Sequence, residues 1–195
     1  MAEKTGDRKD QILQALAQML ENPAGEKVTT AALAARLKVS EAALYRHFRG
    51  KAEMFDGLIE FIEHALFGIV NKITTDEKSG IRQLEQIVAV LLAFAQKNPG
   101  MTRVLIGDAL VNEDERLQVR INQLIERLEA ALKQALRFGV SQKEIAADVD
   151  IGAHANALMS FVVGRWHLFA KSGFKRDPAE LWAKQWRLLM EGVIA

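Results

Sequence analysis

The chain has 195 residues, of which 49% are hydrophobic and 26% are charged, and its formal net charge at pH 7 is +1. This composition predicts a folded globular protein with a substantial core and excludes a disordered polyelectrolyte. The absence of cysteine excludes disulfides and zinc–thiolate sites, as is typical of proteins from a reducing cytosol.

Neither an export signal nor a membrane span is predicted. The N-terminal run MAEKTGDRKDQ is polar and lacks an apolar core, and no apolar run reaches the roughly 18 residues that a membrane span needs. Because the net charge is close to zero, affinity for nucleic acid has to come from a local basic patch. We therefore expect a soluble, cytoplasmic protein that does not contact a membrane.

The first predicted helix starts near Asp7 and ends before the sequence Asn22-Pro23-Ala24-Gly25, where proline and glycine interrupt the pattern. Its apolar residues recur at the three- and four-residue spacing of one helix face. They are Ile12, Leu13, Leu16, Met19 and Leu20. We expect this face to pack on the helices that follow.

The next stretch, VTTAALAARLKVSEAALYRHF from Val28 to Phe48, contains two short helical patterns separated by Lys38-Val39-Ser40. Each pattern begins with a residue that can cap a helix N-terminus. This residue is Thr29 or Thr30 in the first pattern and Ser40 in the second. Two short helices joined by a tight turn are typical of a helix-turn-helix unit.

Basic residues are concentrated in this stretch, where Glu41 is the only acidic residue between Lys27 and Lys51. A local positive patch on a nearly neutral chain predicts phosphate binding, because bound phosphates release condensed counterions. The small side chains of Ala42 and Ala43 would let the second helix approach base edges in the major groove. The alternative interpretation is an ordinary pair of amphipathic helices with a solvated basic face.

The run SEAALYRHFRGKAEMFDGLIEFIE resembles the recognition helix and the following helix of the TetR family of bacterial DNA-binding proteins. Its most specific part is an aromatic-rich signature, matched here by Leu44, Tyr45, His47, Phe48 and Lys51. The resemblance implies an N-terminal three-helix DNA-binding domain with phosphate contacts at the tyrosine, histidine and lysine positions. The expected DNA-binding residues are Lys27, Thr29, Thr30, Ser40, Ala42, Ala43, Tyr45, Arg46, His47 and Lys51.

The rest of the chain is also predicted to be helical, so the expected fold class is all-α. Apolar residues recur at helical spacing over residues 52–73, 81–96, 101–110, 112–138, 151–171 and 178–193. The 112–138 helix also has a pattern of almost four heptads, but we favour an amphipathic helix packed within the chain. We expect a DNA-binding domain over residues 1–51 and a helical core and dimerisation domain over residues 52–195, linked by the helix that starts near residue 52.

All three tryptophans, Trp166, Trp182 and Trp186, fall in the last two predicted helices. Large aromatic residues on terminal helices are common in cores and also in protein interfaces. In TetR-like proteins the last two helices of each subunit form the dimer interface. The resemblance therefore implies a homodimer that binds a palindromic site on double-stranded DNA.

The sequence contains no motif of a catalytic or cofactor site. It lacks a Walker-type phosphate loop, a G-x-S-x-G elbow, an H-E-x-x-H pair and a glycine-rich dinucleotide turn. The one metal-binding hypothesis concerns Glu60 and His64, which are spaced by four along one helix, and no second pair of this kind supports it. We therefore expect a protein that is not an enzyme and holds neither a cofactor nor a metal ion.

Four runs, SEAALYRHF, MFDGLIEFIEHAL, NPGMTRVLIGDAL and RLQVRINQLIERLEAALKQALR, resemble a narrower group within the family, the nucleoid occlusion factors. The resemblance implies a nucleoid-associated protein that antagonises assembly of the division protein FtsZ when it is bound to chromosomal DNA. The chain departs from this group at Ile69, where an arginine is expected, and in its sparse N-terminal basic residues. The alternative function on the same fold is a ligand-responsive transcriptional repressor.

The same resemblance assigns the FtsZ-facing surface to Phe61, Lys97 and Asn98. Helix geometry adds a prediction for Phe61, because Leu58, Ile59 and Ile62 already account for the buried stripe of its helix. We therefore expect the Phe61 ring to be partly exposed. The alternative is that Phe61, three residues after Leu58, lies at the edge of the core.

Overall fold

The computed structural model describes residues 5–22 and 28–194. Within these ranges the chain forms nine α-helices, one short 3₁₀ helix and an isolated bridge between Ile145 and Ile194, which confirms the all-α fold class. The α-helices are α1 Thr5–Leu20, α2 Thr30–Arg36, α3 Glu41–Tyr45, α4 Lys51–Asp76, α5 Gly80–Lys97, α6 Pro99–Leu105, α7 Glu115–Ser141, α8 Ile151–Lys171 and α9 Trp182–Leu189, and the 3₁₀ helix is Asp108–Leu110. No helix in the described ranges is both long enough and apolar enough to cross a membrane.

The chain divides into two compact units. The first comprises Met1–Ile62 and Asn98–Ile121, and the second comprises Glu63–Lys97 and Asn122–Ala195. The long helices α4 and α7 each contribute residues to both units. These units reflect packing, whereas the boundary expected near residue 51 concerns the DNA-binding function and stays a prediction.

The core of the first unit contains the apolar face expected for α1. Ile12, Leu16 and Leu20 are at most 3% exposed, and α1 packs against both α2 and α6. From α4, the side chains of Met54 and Phe55 are buried to the same degree. The burial of large apolar side chains from helices far apart in sequence supplies most of the stability of such a unit.

A glycine sets the close approach between α6 and α1. A Cβ atom added at Gly100 would lie 1.9 Å from the carbonyl oxygen of Ala17, so only glycine permits this contact. Three residues further along α6, the Arg103 guanidinium donates to the carbonyl oxygens of Leu20 and Asn22 at 3.3 and 3.4 Å. These contacts fasten α6 to the C-terminal end of α1.

The core of the second unit is built on α5, as its broad apolar pattern predicts. Its residues with no exposed surface are Leu84, Ile87, Val88, Leu91, Leu92 and Ala95. Helix α8 packs against α5, and the buried Trp166 indole N–H donates to the carbonyl oxygen of Leu91 at 3.0 Å. Trp166 is therefore a core residue.

The heptad-like pattern of α7 corresponds to packing within the chain. Its repeating leucines in the second unit, Leu124, Leu128 and Leu132, have no exposed surface. A coiled coil with another chain would need these side chains at a free surface. The preferred interpretation of α7 as an internal amphipathic helix is confirmed.

Two observed helices are shorter than predicted, and in each case one residue with a left-handed backbone is the reason. The helix expected over residues 101–110 is divided into α6 and the 3₁₀ helix, since Gly107 has a left-handed backbone with φ of 78°. The last helix begins at Trp182 rather than near residue 178, because Leu181 also has a positive φ, of 66°. A left-handed residue cannot continue a right-handed α-helix.

Candidate nucleic-acid interface

Thr29 and Ser40 are the N-caps of α2 and α3. The Thr29 Oγ1 atom accepts a hydrogen bond from the Ala32 N–H at 3.1 Å, and the Ser40 Oγ atom accepts one from the Ala43 N–H at 3.3 Å. Each cap satisfies a backbone donor that the first turn of its helix leaves unpaired. The expected helix starts are confirmed, with Thr29 rather than Thr30 in the capping role.

The turn between α2 and α3 depends on Lys38, which has a left-handed backbone with φ of 55°. The N–H groups of Lys38 and Val39 donate to the carbonyl oxygens of Ala35 and Ala34 at 3.1 and 3.0 Å. This pattern is the Schellman motif, in which a left-handed residue ends a helix and satisfies its last carbonyls. It ends α2 and allows α3 to start at Glu41 after a turn of only a few residues.

A hydrogen-bonded chain of three side chains connects the start of α2 to α3. The Thr30 hydroxyl donates to the Glu41 carboxylate at 2.6 Å and accepts from the Tyr45 hydroxyl at 3.4 Å. Glu41 and Tyr45 lie four residues apart, on one face of α3. The Thr30 contact with DNA stays a prediction, and the structure adds a contact through which Thr30 orients two residues of α3.

The outer face of α3 carries the predicted contact residues, and its inner face is anchored in the core. Leu44 and Phe48 are 1% and 4% exposed, so they fix the helix on the first unit. The predicted residues are exposed or half-buried, and they are Ala42, Ala43, Tyr45, Arg46 and His47. Since Ala42 and Ala43 have the smallest side chains, the N-terminal turn of α3 can approach a ligand closely.

A shallow pocket of about 270 Å³ lies beside α3 and contains His47. Its lining consists of Arg8, Ile12, Val39, Ala43, Leu44, Arg46 and His47. The His47 Nδ1 atom is buried and has no hydrogen-bond partner within the described ranges. A hydrogen bond between this atom and a bound ligand would therefore be favourable. The pocket brings Arg8, which the sequence did not single out as a contact residue, next to the predicted residues Ala43, Arg46 and His47.

Several basic side chains around this face have partners in the first unit. Arg36 donates to the side-chain oxygen of Gln18 at 3.0 Å, and the Lys9 ammonium lies 5.4 Å from the centre of the Phe48 ring. Lys51 forms an ion pair with Glu113. The remaining predicted basic residue, Lys27, lies outside the described residues.

Two of the predicted partner residues, Phe61 and Asn98, belong to the first unit, and the third belongs to the second. Phe61 is 50% exposed, and Leu58, Ile59 and Ile62 have no exposed surface, so the expected exposure of Phe61 is confirmed. Phe61 and Asn98 line one groove of about 440 Å³, which also includes Asp10, Leu13, Gln14, Ala17, Gln18, Glu21, Leu58 and Met101. Lys97, the exposed last residue of α5, belongs to the second unit.

The metal-binding hypothesis gains nothing from the geometry. Within the described ranges, no group of three or more histidine, aspartate or glutamate side chains is arranged to hold a metal ion. His64 lies exposed on α4 beside residues that face away from the core.

Comparisons with known protein families match most of the chain. Residues 12–58 match the family described as bacterial regulatory proteins, tetR family. Residues 78–193 match the family described as tetracyclin repressor-like, C-terminal domain. The first match covers α2, α3 and the start of α4, and it therefore includes the whole predicted helix-turn-helix unit.

Curated relatives are similar over the entire chain. The nucleoid occlusion factor SlmA of Marinomonas sp. (strain MWYL1) is 47% identical over 194 residues, which cover 100% of this chain and 98% of the relative. The nucleoid occlusion factor SlmA of Idiomarina loihiensis is 46% identical over 195 residues, with full coverage of both chains.

Solved structures share the fold. A TetR transcription regulator from Haloarcula marismortui has a TM-score of 0.81 at 17% identity, covering 97% of this chain and 100% of that one. The transcriptional regulator FadR from Bacillus subtilis, in complex with stearoyl-CoA, has a TM-score of 0.75 at 16% identity, covering 93% and 97%. At such low identity these likenesses describe the architecture alone.

Proposed function

The chain belongs to the TetR family and, within it, to the nucleoid occlusion factors SlmA, and from this membership we propose that it binds palindromic chromosomal sites as a homodimer and antagonises FtsZ ring assembly there. Members of the family are DNA-binding regulators, and the chain is not an enzyme. The proposal has three parts, namely the DNA contact, the dimer and the FtsZ contact, and each part has its own structural support.

The observation that carries the DNA contact is the outer face of α3. Its N-terminal turn presents Ala42 and Ala43 between the polar side chains of Ser40 and Arg46. A recognition helix places its N-terminal residues at base edges in the major groove, and flanking side chains hold the phosphates. In this arrangement Tyr45, which is 48% exposed, contacts the backbone beside the groove.

The dimer is supported by an apolar surface on the last two helices. Leu168 of α8 is 43% exposed, and Leu188 of α9 is 70% exposed. Interfaces of homodimers are more apolar than the rest of a protein surface, so large exposed apolar side chains on these two helices agree with an interface there. A two-fold axis through this surface would bring together the same residues of both protomers.

The segment before α9 is fixed by Arg165 of α8. Its guanidinium donates to the carbonyl oxygens of Asp177, Pro178 and Glu180 at 2.7, 2.8 and 3.0 Å. These three bonds hold the turn that precedes α9. They give the proposed interface a defined backbone before a second protomer binds, and preorganisation of this kind favours association.

The groove that contains Phe61 supports the FtsZ contact. A half-exposed aromatic ring beside amide and carboxylate groups can anchor a partner segment, because aromatic residues contribute most to binding where water is excluded around them. Phe61 supplies the ring, and Asn98 and Gln14 supply amides. The contribution of Lys97 to this surface stays a prediction.

Two measurements test the function as a whole. Mapping the protein on the chromosome should find many dispersed sites, and FtsZ polymerisation should be reduced by the protein together with a duplex that contains such a site. A single site beside its own gene, with no effect on FtsZ, would favour the transcriptional repressor.

The DNA contact has a separate test in the double variant Tyr45→Ala, Arg46→Ala. Loss of one ring and one cation per protomer should weaken binding to the mapped sites by at least tenfold and reduce the slope of log K against log[salt] by about 1 for each protomer. Arg137→Ala, which removes an exposed cation from α7, is the matched control and should bind like the native protein. Equal binding by all three proteins would remove α3 from the interface.

A further inference from the structure

Lys51, the first residue of α4, is engaged by an acidic side chain from a distant part of the chain. Its ammonium group forms an ion pair with the carboxylate of Glu113, and the two side chains are only 22% and 15% exposed. The same ammonium lies 5.6 Å from the centre of the Phe55 ring. Glu113 lies between the 3₁₀ helix and α7, 62 residues further along the chain.

The surrounding acidic groups have other partners, so Glu113 is the carboxylate that neutralises Lys51. Asp114 receives hydrogen bonds from the Arg116 side chain and backbone, which lower the pKa of Asp114 to about 2. Asp56 of α4 pairs with Arg120 of α7. Both pairs involve residues that follow Glu113, and the second one joins the start of α7 to α4.

The backbone at Glu113 is also held in place. The Glu113 N–H donates to the carbonyl oxygen of Leu110 at 3.0 Å. Asn112, the preceding residue, has a left-handed backbone with φ of 65°, a conformation that asparagine tolerates better than most residues. The carboxylate is thus presented to Lys51 by a defined turn.

An ammonium group cannot give its full electrostatic attraction to a DNA phosphate while a carboxylate neutralises it. A phosphate that binds Lys51 has to displace the carboxylate, which then needs new solvation. The free energy needed to separate Lys51 from Glu113 therefore offsets part of the attraction between Lys51 and the phosphate. Because both side chains are largely buried, salt screens this pair less than it screens an exposed one.

We propose that Glu113 is an internal competitor of DNA phosphate at Lys51, so that DNA binding exchanges one anion for the other. The proposal rests on the DNA-binding function proposed above and adds a residue that limits affinity from outside the helix-turn-helix unit. When DNA binds, Glu113 loses its lysine partner, and the segment before α7 becomes more negative. A different role, in which Glu113 orients Lys51 toward the phosphate, predicts the opposite effect when its charge is removed.

The test compares DNA binding by the native protein, Glu113→Gln, Lys51→Ala and the double variant, using a duplex that contains one of the mapped chromosomal sites, between about 50 and about 200 mM NaCl. Glu113→Gln keeps the side-chain shape and removes the charge, and it should tighten binding by about twofold to fivefold, the range expected for a single ion pair that keeps some contact with solvent. Lys51→Ala should weaken binding more in the Glu113→Gln background than in the native one. Glu113→Asp, which keeps the charge, should bind like the native protein.

Glu115→Gln is the matched control, because it removes the same charge from an exposed side chain two residues further along the chain. If it tightens binding as much as Glu113→Gln, general charge repulsion explains the effect and the competition is refuted. Weaker or unchanged binding by Glu113→Gln also refutes it, provided that its thermal unfolding is native-like. If no protein in the set binds the duplex, the proposed function fails as well, whereas native binding without these differences overturns only the role of Glu113.

Discussion

Phe61 presents half of its side-chain surface to solvent, although its three apolar neighbours on α4 are fully buried. Phe61→Ala should therefore leave the free energy of unfolding within about 0.5 kcal/mol of the native value, as is usual for surface substitutions. If the ring anchors FtsZ, the same change should weaken the effect on FtsZ assembly by more than tenfold. Thermal unfolding and FtsZ sedimentation measure these two properties, and DNA binding by the same preparation should be native-like.

Val119→Ala provides the control for this prediction. Val119 is 54% exposed, so its truncation removes exposed apolar surface, though a smaller amount, outside the groove of Phe61. FtsZ should respond to this variant as it does to the native protein. A clear loss of stability in Phe61→Ala would instead assign the ring to the edge of the core, and a stable variant with native FtsZ activity would place the partner surface elsewhere.

At the residue scale, sequence reasoning succeeds where local geometry decides. The exposure of Phe61 follows from helix periodicity, and the capping by Ser40 follows from the unpaired N–H groups of a helix start. It fails for side-chain pairs distant in sequence. The pairing of Lys51 with Glu113 depends on the folded path of the chain, and no local pattern indicates which acid reaches that lysine.

At the element scale, the contact between α1 and α6 depends on the absence of a side chain at Gly100. In Gly100→Ala the new methyl group would overlap the Ala17 carbonyl oxygen, and α6 would have to shift. Overpacking of this kind typically costs about 1 to 3 kcal/mol. Urea unfolding should accordingly show a lower midpoint.

Gly68→Ala is the corresponding control in α4, because nothing lies within 4 Å of a Cβ atom added there. Replacing a glycine in a helix by alanine usually stabilises it by about 0.5 to 1 kcal/mol. The two variants should therefore change stability in opposite directions. Equal stability of the two proteins would mean that α6 adapts without cost and that Gly100 does not determine the helix contact.

The positions of the helices can be predicted from apolar periodicity, but some of their ends cannot. Proline and glycine signal the break between α5 and α6 at residues 98–100. By contrast, Leu181 ends up in a left-handed conformation that leucine disfavours. Hydrogen bonds from Arg165, in another helix, hold the turn just before Leu181, and a propensity argument, which does not include such distant contacts, extends the helix too far.

At the scale of the whole molecule, the proposed homodimer predicts a change of assembly without a change of fold. Leu188 is 70% exposed, so Leu188→Glu should be tolerated by the protomer. In the dimer the same change would bury a carboxylate in an apolar interface, at a cost of several kcal/mol. Sedimentation at micromolar concentration should show a dimer for the native protein and a monomer for the variant.

Val111→Glu is the control, since Val111 is 65% exposed and lies in the first unit. It introduces the same charge and should remain dimeric. A palindromic duplex should distinguish the two variants further, because a monomer can occupy only one half-site at a time. A native protein that sediments as a monomer would contradict the dimer and with it the simultaneous recognition of both half-sites.

The exposed Tyr45 ring also gives the protein a built-in chemical reporter. It is the only tyrosine in the sequence, so a tyrosine-selective reagent such as tetranitromethane can modify just one phenol in each chain. The yellow nitrophenol that forms absorbs where tryptophan does not, and titrating DNA into the labelled protein would follow the surroundings of α3 optically. Shielding of the same ring from nitration by a bound duplex would map the recognition helix without any substitution.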